Sequence, residues 1–224
     1  MRILVTGTDS QVGKTWAGCA LAQALRSAGR RVIAVKPVET GCSGAPGERE
    51  DGVLLAQATG QSQPTHAIFR VAEPVPPALA GDRSGITIDF DALVLKLERY
   101  ADDADYLLIE GVGGLLTPMT WEWNMVDVAK ALGACVLVVA VDRGGAINST
   151  LLALSALELA GVSCAGVLLT TPESPDQTTG VNAPAIARLS GLDRVVTAPR
   201  TAYPDRTEAM RTVVSWLSRV PATA

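Results

Sequence analysis

A chain of 224 residues with 48% hydrophobic residues can bury a large core, and with only 4% aromatics that core rests on Val, Leu, Ile and Ala. A formal net charge of −4 supplies no basic footprint for nucleic acid or for an anionic membrane surface. Four scattered cysteines (Cys19, Cys42, Cys135, Cys164) form no CxxC pair, which argues against a zinc ribbon or a disulfide framework and for buried thiols in a reducing cytoplasm.

An apolar run predicts the first strand over Ile3–Thr6, with no room before it for a signal peptide. Gly7-Thr8-Asp9-Ser10-Gln11-Val12-Gly13-Lys14-Thr15 follows, and then a helix over Lys14–Ala28. A strand, a glycine-bearing loop ending in Lys-Thr and a helix make up a phosphate-binding P-loop. Its backbone N–H groups and the helix N-terminus would hold a triphosphate. Nucleotide contacts are expected from Gln11, Val12, Gly13, Lys14, Thr15 and Trp16, with Lys14 on the β/γ-phosphates and the Thr15 hydroxyl on Mg2+.

A second strand is predicted over Arg31–Val38, and Lys36-Pro37-Val38-Glu39-Thr40-Gly41 closes it. Lys36 reads either as a surface lysine or, beside a P-loop, as a cation facing a transferring phosphoryl group. Gly41–Glu50 and Val71–Gly85, the latter with Pro74, Pro76 and Pro77, read as loops. Asp51 precedes a helix over Gly52–Thr59 and is either its N-cap or a magnesium ligand. After a helix over Asp89–Ala101, the strand Tyr106–Glu110 ends in a carboxylate suited to the magnesium shell. Gly111, Val112, Gly113 and Gly114 then allow close backbone approach to a ligand, or form a plain turn.

The remaining helices are expected over Val126–Leu132, Asn148–Ala160, Ala183–Ser190 and Arg206–Ser218, with strands over Cys135–Val141, Ala165–Thr170 and Arg194–Thr197. Even the most apolar run, Ala134 to Val141, is too short to span a bilayer. This alternation predicts an α/β fold, a three-layer parallel sheet flanked by helices in the manner of P-loop NTPases, with residues 1–224 as one domain. Ligands in such sheets bind beyond the carboxyl ends of the strands.

Taken together, Gly7–Thr15, Lys36–Gly41 and Ile109–Gly114, with Gly144-Gly145-Ala146-Ile147-Asn148 further on, resemble the dethiobiotin synthetase family over nearly the whole length. The resemblance implies an enzyme that turns 7,8-diaminopelargonate, CO2 and ATP into dethiobiotin, ADP and phosphate by way of a carbamate and a carbamic–phosphoric anhydride. It implies that Lys14 and Lys36 are catalytic, that Thr15, Asp51 and Glu110 bind Mg2+, and that Thr40 and Asn148 bind substrate, Asn148 across a homodimer interface. No histidine base is needed, in keeping with a chain whose only histidine is His66.

Many relatives end the corresponding late strand in an Asn that reads adenine, whereas this chain runs Thr170-Thr171-Pro172. Base contact is therefore expected to be partial, from Thr170, Thr171 and the Pro199-Arg200-Thr201 turn. The Pro-rich segment Val75–Ala78 also departs from the family pattern near the substrate pocket. Two other classes share some of these motifs. Partition-type ATPase switches carry an additional lysine where this chain has Asp9, and cobyrinate-type amidases need a glutaminase domain for which the chain has no room.

Overall fold

The structure is a computed structural model and describes residues 1–199, 201 and 207–217. Six parallel strands form the central sheet: β1 (Arg2–Gly7), β2 (Val32–Val35), β5 (Tyr106–Gly114), β6 (Cys135–Val141), β7 (Cys164–Thr170) and β8 (Val195–Ala198), in the order β2-β5-β1-β6-β7-β8. Two shorter strands, β3 (Val38–Thr40) and β4 (Phe69–Val71), pair in parallel as a separate ribbon.

Strict alternation along each strand feeds two cores, which is why the strands read as continuous apolar runs. In β6, Cys135, Leu137 and Val139 face α1 (Lys14–Ser27), α2 (Asp51–Thr59) and α8 (Glu208–Leu217). Val136, Val138 and Ala140 face α4 (Phe90–Asp102), α5 (Met125–Ala131), α6 (Ala146–Ala160) and α7 (Asn182–Ser190). The three-layer α/β architecture expected from the sequence is thus present. Among the described residues no helix is long and apolar enough to cross a membrane.

The departures from the expected elements have local causes. The predicted strand Arg31–Val38 is broken at Pro37, which has no N–H for a ladder, and the chain leaves the main sheet after Val35. The carbonyls of Lys36 and Pro37 then accept from Ile68 and Phe69, so the continuation pairs with β4 instead. The expected loop over Val71–Gly85 contains the helix α3 (Pro77–Ser84), which has proline at its first turn, where the missing N–H costs nothing. β5 continues through Gly111–Gly114 rather than turning after Glu110. The ends of the expected helix Arg206–Ser218 lie outside the described residues, as does Arg200.

β2 is an edge strand, yet its outer rim is occupied. The Gln61 side chain accepts from the Ala34 N–H at 2.8 Å and donates to the Ala34 carbonyl at 3.1 Å. Thr59 Oγ1 fixes that amide by donating to Gln61 Oε1 at 2.7 Å.

Candidate active site

Sheet register brings the distant polar residues together. Val35 lies beside Ile109 and Val5 beside Glu110, so Lys36, one residue beyond β2, stands next to Glu110. By alternation Glu110 shares a face with Leu108, and Leu108 belongs to the core under α1 and α2. Thr15 at the start of α1 and Asp51 at the start of α2 therefore meet Lys36 and Glu110 over the same sheet face.

The resulting cluster is tight. Lys36 Nζ, 3% exposed, is 2.6 Å from Glu110 Oε1, 2.8 Å from Asp51 Oδ2 and 3.1 Å from the Gly111 carbonyl. The Thr15 hydroxyl lies 2.7 Å from Asp51 Oδ1 and 2.9 Å from Glu110 Oε1. Glu110 Oε2 is buried and accepts no hydrogen bond from any described residue. Lys36 is accordingly not a surface lysine.

The electrostatics follow from burial set against pairing. Burial alone would lower the Lys36 pKa, but Glu110 and Asp51 together hold it above its ordinary value. Burial pushes Glu110 up, against the pull of Lys36. Burial also opposes ionisation of Asp51, but Lys36 and the Thr15 hydroxyl outweigh it and keep that carboxyl below its usual range. Lys14, largely buried at the first turn of α1, is lowered to about 8 by burial and by the neighbouring Lys36 charge. Its ammonium donates to the Asp9 carbonyl at 2.9 Å.

Asp51 is not the N-cap of α2. Glu50 holds that position without a side-chain capping bond, and the first N–H groups of the helix are taken by Glu39 of β3, at 2.6 Å from Asp51 N and 3.0 Å from Gly52 N. Glu39 is not readable from the sequence, which shows only an acid between Lys36 and Thr40; its burial, at 8% exposure, comes from the tertiary fold. Gly52 packs α2 hard against the chain, since a Cβ there would fall 2.3 Å from Ala67 N and 2.7 Å from His66 C. Gly52→Ala should therefore lower stability by roughly 1–3 kcal/mol through overpacking. The helix-propensity gain of about 1 kcal/mol is the smaller effect. Denaturant midpoints check the sign, and an unchanged or raised midpoint overturns the expectation.

Two clefts flank the P-loop. One, of about 550 Å³, is lined by Gln11, Val12, Gly13, Trp16, Val141, Thr170, Ala198 and Thr201. Gly13 takes φ +93° there and lies against the Thr170 methyl, where a Cβ would come within 3.1 Å. Thr170 Oγ1 donates to the Val12 carbonyl at 2.9 Å, tying the end of β7 to the P-loop. The other cleft, of about 440 Å³, is lined by Gly7, Thr8, Asp9, Gly114, Thr117 and Ser149 together with Leu115, Leu116, Leu152, Ala153 and Ala156.

Not every expected residue converges. Thr171 and Pro199 line neither cleft, and the Thr171 hydroxyl donates to the Ala198 carbonyl. Val112 and Gly113 also line neither; Gly113 packs on Thr117. Thr40 is half-buried at the end of β3, and Asn148 is exposed in the first turn of α6.

A P-loop at the end of the central strand, a buried lysine pair and a hydroxyl–carboxylate cluster define the class: a P-loop nucleotide-dependent protein, matching the AAA_26 family (AAA domain) over residues 1–205. The chain is 38% identical to the ATP-dependent dethiobiotin synthetase BioD of Anaeromyxobacter dehalogenans (strain 2CP-C) over 201 residues, 88% of this chain and 89% of that one. It is also 38% identical to BioD of Rhodococcus jostii over 88% of this chain and 85% of that one. The chain belongs to the dethiobiotin synthetase family.

Among solved structures, the MinC:MinD cell division protein complex of Aquifex aeolicus matches with TM-score 0.60 and 14% identity, over 100% of this chain and 98% of that one. MinD of Pyrococcus horikoshii, complexed with Mg-ADP, matches with TM-score 0.57 and 15% identity, over 98% and 96% of the two chains. At these identities the likeness is one of fold.

Proposed function

We propose that this protein is an ATP-dependent dethiobiotin synthetase, which carboxylates 7,8-diaminopelargonate with CO2 and closes the ring with release of ADP and phosphate. The observation that carries the proposal is the meeting of Lys14 and Lys36 with the Thr15, Asp51 and Glu110 cluster at the P-loop, in a chain of this family. The cleft combines polar Thr8, Asp9, Thr117 and Ser149 with Leu115, Leu116 and Leu152, which suits a substrate with polar amines and an aliphatic chain.

The chain's own groups serve positioning and charge neutralisation. P-loop N–H groups and the start of α1 would hold the triphosphate, with Lys14 on its β/γ end. Lys36, held at the end of β2, would face the phosphoryl group as a substrate carbamate oxygen attacks it, and the second amine would then expel phosphate. Neither step requires a covalent link to the protein.

Asp51 and Glu110 each bring a hard carboxylate oxygen within hydrogen-bond distance of Thr15 Oγ1, with one buried Glu110 oxygen left unpartnered, a donor set that fits Mg2+. Magnesium bound there would offset charge on the triphosphate. A nucleotide–magnesium complex is expected to show oxygen ligation by this set; Asp51 turned to solvent would overturn it.

We take residues 1–224 as one P-loop domain, supported by a single main sheet with a core on each face. We take the working unit as a homodimer, supported by Leu152 of α6, 64% exposed and one turn from exposed Asn148. All four cysteines are free, as a reducing cytoplasm would keep them.

Base selectivity should be loose. Where many relatives have an amide at the end of the late strand this chain has Thr170, whose hydroxyl is already committed to the Val12 carbonyl, so its contact with the base should be partial. Dissociation constants for ATP, GTP and CTP are expected within about tenfold, the size of one ordinary hydrogen bond. A thousandfold preference for ATP would mean that backbone groups read the base. The reaction itself is tested by phosphate release with ATP, bicarbonate and diaminopelargonate, omitting each in turn; release independent of the diamine overturns the assignment.

A further inference from the structure

We infer that Glu39 is a positioning residue: its buried carboxylate clamps the first turn of α2 and so fixes the aim of Asp51 at Thr15 and Lys36. The inference rests on the reading of Thr15, Asp51 and Glu110 as the magnesium set. Glu39 is 8% exposed, and its two oxygens accept from successive backbone N–H groups, Asp51 at 2.6 Å and Gly52 at 3.0 Å. The helix has no local substitute, because the Glu50 carboxylate is engaged by the Arg70 guanidinium and by Gly47 N. Those first N–H groups would otherwise lack partners, the ordinary condition of a helix N-terminus.

The clamp differs from a plain cap in which residue it holds. One of the two N–H groups belongs to Asp51 itself, and the side chain of that residue reaches Thr15 at 2.7 Å and Lys36 at 2.8 Å. The short segment from Lys36 to Glu39 thus grips Asp51 twice, by its side chain through Lys36 and by its backbone through Glu39. Gly52 meanwhile lets the turn lie close to the backbone of His66 and Ala67, where a side chain would clash. With Glu39 removed, the Asp51 carboxylate remains but its direction is no longer fixed. Metal handling should then suffer more than nucleotide binding.

The test measures ADP binding by calorimetry, with and without Mg2+, in the wild type, Glu39→Ala, Glu39→Gln, Asp51→Asn and the double variant Glu39→Ala/Asp51→Asn. In Glu39→Ala the enhancement of ADP affinity by Mg2+ is expected to fall about tenfold, while metal-free ADP affinity stays within about threefold, the effect of one lost capping contact. Glu39→Gln keeps one carbonyl acceptor for the turn and should recover part of the enhancement. It also serves as the decisive variant if the alanine form does not fold. In the Asp51→Asn background, loss of Glu39 should add nothing, because the effect passes through Asp51. An unchanged enhancement in both Glu39 variants overturns the inference, as does an equal further loss in the double variant. A wild type whose ADP binding ignores Mg2+ overturns the metal set beneath it, and that failure is visible before any variant is made.

Discussion

Replacing Lys36 by alanine is expected to lower turnover by about a hundredfold or more, the usual cost of removing one preorganised charge from a transition state. Lys36 is held rather than free. Three acceptors fix its ammonium within 3.1 Å, and burial shields it from water. Its loss also leaves Glu110 buried without its cation beside the partly exposed Asp51, and breaking a buried pair costs roughly 3–5 kcal/mol of stability. Turnover must therefore be compared in protein shown to be folded, by circular dichroism and by a thermal scan with nucleotide present. Lys36→Met, close in volume and without charge, separates the lost cation from a lost side chain. Near-normal turnover in either variant would take Lys36 out of the chemistry.

Lys14→Ala should produce a loss of similar size with a different signature. Lys14 sits in the first turn of α1 and touches the P-loop backbone through the Asp9 carbonyl at 2.9 Å. On the proposed placement, a cation there would meet the triphosphate in the ground state as well as in the transition state. Its removal should thus weaken nucleotide binding by about tenfold or more and lower turnover about a hundredfold. Lys36→Ala should act mainly on kcat. Equilibrium ADP binding distinguishes the two variants: unaltered affinity in Lys14→Ala would contradict its placement on the phosphates.

The parts of this site that could be read from sequence were those carried by local pattern. Gly13, Lys14 and Thr15 announce a P-loop because a strand precedes them and a helix follows. Glu110 is readable because an apolar run ends in an acid, although the strand then continues through its glycines. Asp51 was ambiguous, since a carboxylate at a helix start caps as readily as it ligates. The structure removes the capping role, because Glu39, a residue on another element, takes the first N–H groups of the helix. That contact is tertiary, and no spacing rule encodes it.

The unread parts of the fold have the same origin. β3 and β4 are three-residue strands that exist because they pair with each other. Neither is long enough to show a period of two. α3 was hidden by its own prolines, which mark loops everywhere except in the first turn of a helix. The sheet itself was plain because both of its faces are buried, and every strand advertises that burial in its composition.

Gln61 gives the sheet a way to end. Its carboxamide offers the rim of β2 the same donor and acceptor that an additional strand would offer, and it offers them from within the chain. An apolar border such as Val32–Val35 would otherwise be a template for strand addition from a neighbouring molecule. Here an intruding strand must first dislodge an amide that Thr59 and the Pro64 carbonyl also hold. One polar side chain thus blocks the addition of a further strand at this border, where a charge would have to be buried and a proline would break the strand.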